Sequence, residues 1–221
     1  MDWTLALRIA AGVGIAYLTG AIPWSLVIGR RFYGIDLREQ GSGNLGATNV
    51  MRVLGWKAAL VTLALDVAKG AVAVLAAWLI VPVSQFGVAA NEWAMIAATL
   101  AAILGHSYSP YIGFKGGKGV ATAAGALLFL TPLAWPILLL TFIIVLFVTR
   151  MVSLGSLVMA VEYPVLIWFL YPGDWPRLAL AIAAAGLVIW RHSENIVRII
   201  HGEESRISLS QIGLAPKKGG S

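Results

Sequence analysis

The sequence predicts an all-α integral membrane protein of seven transmembrane helices, N-terminus outside, C-terminus cytosolic, with polar motif loops on the cytosolic face. Three observations predict it. Of 221 residues, 59% are hydrophobic and only 12% charged, with a mean hydropathy of +0.85. A soluble domain is roughly half apolar and a quarter charged. One core of this size cannot hide so much apolar surface, so lipid is the matching solvent. The apolar residues fall into seven segments, and the cations are distributed unevenly about them.

In order, the segments are Leu5–Ile28, Ala58–Val81, Trp93–Gly105, Gly119–Thr131, Leu133–Thr149, Ser153–Leu170 and Leu178–Trp190. The first is too long for a signal-peptide core and has no basic leader, so it reads as a retained span. The first two exceed the roughly 20 residues a crossing needs. The third and fourth are short. They either extend into the polar loop between them or form a re-entrant pair. The whole chain, 1–221, reads as a single polytopic domain with a mobile tail over 213–221 and no internal repeat.

Orientation follows from charge. With the N-terminus outside, 13 of the 16 Lys and Arg lie inside. Arg8 and Arg177 are outside, and Lys69 lies within a span. Cytosolic loops carry this excess. The net charge of +6 is therefore assigned to topology, with membrane lipids as partners and no nucleic acid. Trp93, Trp135, Tyr163, Tyr171 and Trp175 fall near outer span ends, as interfacial anchors would. The outer connections (Pro82–Glu92, the turn at Thr131–Pro132, and Tyr171–Arg177) are short and plain. The inner ones are rich in Gly, Asn, Ser, His and charge. The chain has no Cys, which excludes disulfides, thiol nucleophiles and thiolate metal sites.

Three inner loops carry chemistry. The first is GSGNLGATN, Gly41–Asn49, followed by Arg52. Gly41, Gly43 and Gly46 free backbone N–H groups to converge on an anion, and Ser42, Asn44, Thr48 and Asn49 add side-chain hydrogen bonds. The second span starts on the same side, so its positive dipole end is expected to face this loop. The plain alternative is a tight helix-connecting turn. The second loop is GHSYSPYIGFKGGKGVAT, Gly105–Thr122. It fails the Walker A pattern, so no nucleotide is implied. Gly116, Gly117 and Gly119 surround Lys118 at a helix start, with Lys115 and His106 nearby. Topology setting or lipid head groups alone would explain the lysines but not the glycines. The third is RHSENIVRIIHGEESR, Arg191–Arg206. His192 and Asn195 are three apart and share a helical face. An amphipathic interfacial helix is the plain alternative. His201, Glu203 and Glu204 read as structural or solvated.

Within the spans, Asp66 and Lys69 are one turn apart and positioned to pair. Glu162 lies mid-span, where an unpaired charge costs roughly 2.5–3.5 kcal/mol. A pairing of Glu162 with Lys69 is expected at similar depth.

GSGNLGATNVMR, GHSYSPYIGFKGGKGVAT and RHSENIVRIIHGEES resemble the three motifs of the bacterial acyl-phosphate-dependent glycerol-3-phosphate acyltransferases, the PlsY type. The resemblance spans most of the chain. It implies transfer of an acyl group from acyl phosphate to the sn-1 hydroxyl of glycerol 3-phosphate, yielding lysophosphatidic acid and inorganic phosphate. This would be the first step of phospholipid synthesis, in the bacterial inner membrane facing the cytosol, by a monomer without cofactor or metal. Residue by residue, it places catalytic roles on Ser42, Arg52, His192 and Asn195, with Arg38 the alternative arginine. Gly41, Gly43, Asn44, Thr48, Asn49, His106, Lys115, Gly116, Gly117, Lys118 and Gly119 would bind substrate, and Glu203 would be structural.

The residues suit that chemistry. Both reactants carry phosphate, and an acyl phosphate is already activated, so positioning and charge stabilisation suffice. No His-x4-Asp dyad exists: Tyr111, Val197 and Arg206 stand five places after the three histidines. The base is either His192 or a substrate phosphate oxygen. The rival class, a transporter of an anionic metabolite, would set its polar groups near the midplane on broken helices. Only Asp66, Lys69 and Glu162 favour it.

Overall fold

In the computed structural model, which describes residues 2–208, the chain is helical throughout, with no strand among the described residues. The helices are α1 (Trp3–Gly20), α2 (Trp24–Tyr33), α3 (Ala47–Leu54), α4 (Trp56–Ile80), α5 (Val83–Ser107), α6 (Val120–Leu130), α7 (Ala134–Thr149), α8 (Val152–Leu170), α9 (Trp175–Arg191) and α10 (Ser193–Ile200). A single 3-10 turn, Pro110–Ile112, lies between α5 and α6. By length and composition, four stretches can cross a membrane: Trp3–Tyr33, Trp56–Ile80, Val83–Ile112 and Val152–Leu170. Both α6 and α7 are shorter apolar helices. The tail expected over 213–221 lies outside the described residues.

Local chemistry sets the boundaries. Asp2 caps α1 by accepting from the Thr4 and Leu5 amides, at 2.9 and 3.3 Å. Asp174 caps α9 through the Arg177 amide at 3.0 Å, and Pro176 occupies its first turn. The first apolar segment is not one helix. Pro23 has no N–H to continue the ladder, and the chain breaks over 21–23 between α1 and α2. The third segment is much longer than Trp93–Gly105, because the expected outer loop Pro82–Glu92 is itself largely helical. Only Gly87, at φ 82° and ψ 168°, interrupts it. The second span likewise gains a separate helix before it. Gly55, at φ 89°, ends α3 and starts α4, so the first motif loop leads into α3 and not directly into the span.

Close approach between helices rests on small residues, as expected where lipid supplies no hydrophobic drive for helix association. A Cβ on Gly70 would strike the Thr122 carbonyl, and one on Gly125 the Val67 carbonyl, so α4 and α6 meet backbone to backbone. Gly20 and Gly105 do the same for α1 and α5, against Ala102 and Tyr17. Elsewhere, Leu130, Leu138, Tyr163, Ile167 and Leu180 fill the core between α6, α7, α8 and α9. Tyr163 is therefore a core residue, only 3% exposed, and not an interfacial anchor. Trp93 and Trp175 do face outward. Leu63, Ile144, Phe169 and Ile182 point away from the bundle, as a lipid-facing girdle requires.

Buried charges are paired differently from the expectation for Glu162. Lys69 meets Asp66 at 2.8 Å and donates to the Ile22 carbonyl at 2.8 Å. Glu162 accepts from Thr141 Oγ1 at 3.1 Å. Lys69 lies in α4 and reaches the α1–α2 break, whereas Glu162 in α8 turns to α7, so the two carry no mutual pair.

The two ends of the bundle differ. One holds the break at Ala21–Pro23, the α5–α6 loop, the α7–α8 turn and the end of α9. At the other, Arg8 donates to the Ile80 carbonyl at 3.0 Å. There Arg177 also binds Glu92, Asp174 and the Leu130 carbonyl. All three motifs lie at the first end.

Candidate active site

The first motif is a loop clamped from within. Asn49 is 1% exposed. Its Oδ1 accepts from the Ser42 amide at 2.9 Å, and its Nδ2 donates to the Leu37 and Gln40 carbonyls at 3.3 and 3.0 Å. Asn49 thus ties the loop together and presents no amide to a ligand, contrary to the substrate-binding role expected for it. Asn44 Oδ1 accepts from the Gly46 amide at 3.0 Å, and Ser25 Oγ anchors the Leu45 carbonyl at 2.8 Å. What remains available is Ser42, which is exposed, Thr48, half-buried, and the start of α3, which no side chain caps. The candidate arginines separate cleanly. Arg38 and Arg30 both grip Asp36 at 2.7 Å, and these guanidiniums hold its carboxyl far below the usual range. Arg52 is exposed, and its side chain makes no hydrogen bond or ion pair among the described residues.

The second motif folds back on the end of α5. The Gly116 amide donates to the Ser107 carbonyl and the Gly117 amide to the His106 carbonyl, both at 3.1 Å. These two amides are therefore occupied, and cannot cradle an anion as expected. A Cβ at Gly116 would run into the His106 carbonyl, which explains that glycine by space alone. The donors are displaced a few residues onward, to the uncapped start of α6. There Gly119, at φ 79°, turns the chain, and the first helical amides have no intrahelical acceptor. His106 is buried behind the loop, 8% exposed, with Nδ1 3.2 Å from Thr122 Oγ1. It supports Gly117 from beneath. Lys115 is exposed, and its side chain has no partner among the described residues.

The third motif locks onto the second. Lys118 Nζ donates to Asn195 Oδ1, and Asn195 Nδ2 donates to Glu204 Oε1 at 2.7 Å. Glu204 also accepts from Ser153 Oγ at 2.7 Å and Arg198 Nε at 2.9 Å. Burial alone would raise its carboxyl, but the donors Ser153, Asn195 and Arg198 outweigh it and hold the pKa down. The structural glutamate is thus Glu204 and not Glu203, which is exposed. Gly202, at φ 74°, reverses the chain, and the Glu203 amide closes on the Arg198 carbonyl at 2.8 Å, so the following side chain points inward. Arg191 donates to the Gly116 and Gly117 carbonyls at 3.0–3.2 Å. Burial pulls the Lys118 ammonium down to about 8, opposed by the Glu204 carboxylate and reinforced by Arg198.

His192 is 2% exposed, with Nδ1 2.7 Å from the Val188 carbonyl. A carbonyl only accepts, so Nδ1 carries the proton and Nε2 holds the free lone pair. Burial, and then Lys118, lower its pKa to about 4, leaving it neutral at physiological pH.

The three motifs gather at one place. Leu45 of the first and Gly116 and Gly117 of the second line a common cavity, and Ile112 packs on the cluster that contains Leu26 and Leu45. The third motif joins the second beside that cavity, through Asn195 on Lys118 and Arg191 on the Gly116 and Gly117 carbonyls. Ser42 and Arg52 share no direct contact with them among the described residues. Sequence reasoning missed Arg191, Ser153 and Thr122. Arg191 and Thr122 stand at the ends of two of the quoted motifs, whereas Ser153 carries no motif signal.

A family model described as glycerol-3-phosphate acyltransferase matches residues 10–202. The chain belongs to the glycerol-3-phosphate acyltransferase family. It is 44% identical over 193 residues to the family member of Listeria monocytogenes, covering 87% of this chain and 93% of that one. The member from Thermosynechococcus vestitus is 41% identical over 207 residues, with 89% and 94% covered. The crystal structure of PlsY, an integral membrane glycerol 3-phosphate acyltransferase, in its glycerol 3-phosphate form superposes with a TM-score of 0.82. It is 36% identical and covers 94% of this chain and 99% of that one. The lysophosphatidic acid form gives 0.80 at 35% identity. The fold is thus that of the integral membrane acyltransferases.

Proposed function

We propose that this acyltransferase moves a fatty acyl group from acyl phosphate to the sn-1 hydroxyl of glycerol 3-phosphate, releasing lysophosphatidic acid and inorganic phosphate. The supporting observation is the meeting of an uncapped α6 start, Lys118 and a neutral, tautomer-fixed His192 at one end of an acyltransferase-family bundle. Seven crossings fit: α1–α2 as one broken span, then α4, α5, α6, α7, α8 and α9. The motifs then face the cytosol with most of the cations, and the protein sits in the bacterial inner membrane. It begins phospholipid synthesis there as a monomer.

Lys118, Arg52, Lys115 and the starts of α3 and α6 offer positive potential to two phosphates. The acceptor hydroxyl donates to His192 Nε2, which aims its oxygen at the acyl carbon. The new C–O ester bond forms as the bond from that carbon to the phosphate oxygen breaks, and phosphate leaves with the electron pair. A phosphate monoester's second pKa is about 6, roughly two units above that of His192. A substrate phosphate oxygen is accordingly the better final proton acceptor, and His192 mainly orients.

Purified protein is incubated with palmitoyl phosphate and glycerol 3-phosphate, without metal or nucleotide, and phosphate release is followed. Lysophosphatidic acid in equal amount is expected. Turnover only with an acyl thioester would overturn the donor assignment.

A further inference from the structure

The reaction as derived uses neither Asp66 nor Lys69, yet both are buried in α4, 2% and 4% exposed. A buried ion pair often stabilises no more than apolar residues of the same volume, so packing alone does not explain this one. Each charge reaches beyond its own helix. Lys69 Nζ holds the Ile22 carbonyl, at the break that Pro23 imposes between α1 and α2. Asp66 Oδ1 lies 3.7 Å from His106 Nδ1 on α5. Although Lys69 is 2.8 Å away, that oxygen is buried without an aligned hydrogen-bond donor.

His106 passes the contact on. Its Nδ1 also meets Thr122 Oγ1 in the first turn of α6, and its carbonyl receives the Gly117 amide. Its ring lies so close to Gly117 that a Cβ there would strike Nε2. Ile22, Asp66, Lys69, His106, Gly116 and Gly117 surround one small cavity. An apolar pair would fill the same space but would leave the imidazole no charged neighbour in α4, with Thr122 still beside Nδ1.

We propose that Asp66 and Lys69 are positioning residues for glycerol 3-phosphate. They hold His106, and through it the Gly116–Gly117 segment, so that Lys118 and the start of α6 meet the acceptor's phosphate. The proposal rests on the function argued above.

The test is Asp66→Leu/Lys69→Met, which removes both charges together and leaves neither unpaired. Its KM for glycerol 3-phosphate rises at least about tenfold, as small misplacements of binding groups do. Its KM for palmitoyl phosphate and its Tm stay near those of the unmodified protein. His106→Asn gives a similar rise, and combining the changes adds nothing further, the mark of groups acting as one unit. An unchanged KM for glycerol 3-phosphate, or full additivity, overturns the proposal. If the double variant does not fold, Asp66→Asn decides by the same constants, and failure of both assigns the pair to folding alone and overturns it. Absence of turnover in the unmodified protein strikes at the donor assignment instead. Equilibrium binding of glycerol 3-phosphate to the same variants then reads the positioning role directly.

Discussion

In the proposed reaction, His192 and Lys118 divide the work at the residue scale through how burial sets their charge. His192, with its proton fixed on Nδ1 and a pKa near 4, is an acceptor of hydrogen bonds first and a weak base second. His192→Asn, which keeps an acceptor but no titrating lone pair, retains at least about a tenth of the turnover. His192→Ala loses about 10²-fold, the scale on which a misplaced reacting group slows turnover. Steady-state kcat checks both, and equal losses would make His192 the proton acceptor. In the proposed site, Lys118 holds phosphate only while charged. Its lowered pKa of about 8 means the charged form disappears as pH rises through 8, so KM for glycerol 3-phosphate climbs above that pH. Lys118→Arg removes the climb, because guanidinium stays protonated, and a KM profile from pH 6 to 10 reads it. Sequence made these two residues visible through type and spacing. It did not make visible which of two adjacent glutamates turns inward, since Gly202 decides that by reversing the chain. Nor could it tell that Asn49 spends its amide on the loop itself.

Helices here are joined by contact surfaces too small to leave a strong pattern. Backbone contact of α4 and α6 at Gly70 and Gly125 carries the helix whose first turn adjoins Lys118. Gly125→Leu drives α6 off α4, lowering Tm by several degrees and raising KM for glycerol 3-phosphate more than KM for the donor. Thermal unfolding and kinetics together check this, and unchanged KM with a lowered Tm would separate packing from the site. The later helices were legible almost to the residue: Leu133–Thr149 and Ser153–Leu170 differ from α7 and α8 by one position each. Their apolar runs end in polar or turn residues. The early ones were less so. Pro23 cuts a continuous apolar run, Gly55 sets a separate helix ahead of the second span, and Pro82–Glu92 joined a helix despite its polar content. Hydropathy measures what a segment prefers to touch, not whether its hydrogen-bond ladder continues.

For the molecule as a whole, cation placement and motif placement agree, which two unrelated patterns in the sequence already suggested. The chain has no Cys, so single cysteines report sidedness cleanly. Lys115→Cys in intact bacteria is expected to resist an impermeant thiol reagent until the membrane is opened, and Gly173→Cys is expected to react at once. The reverse pattern would invert the topology. The shortness of α6 has one last consequence. Gly125 meets Val67 and Gly70 meets Thr122, so α6 begins roughly level with Asp66, ten residues beyond the start of α4. At 1.5 Å per residue, that sets the start of α6, and with it the proposed site, about 15 Å in from the start of α4. In the proposed reaction, a donor dissolved in the bilayer need not be lifted toward water; the three-carbon acceptor dives to meet it, and an alcohol bearing a bulky head group is expected to stall at the mouth.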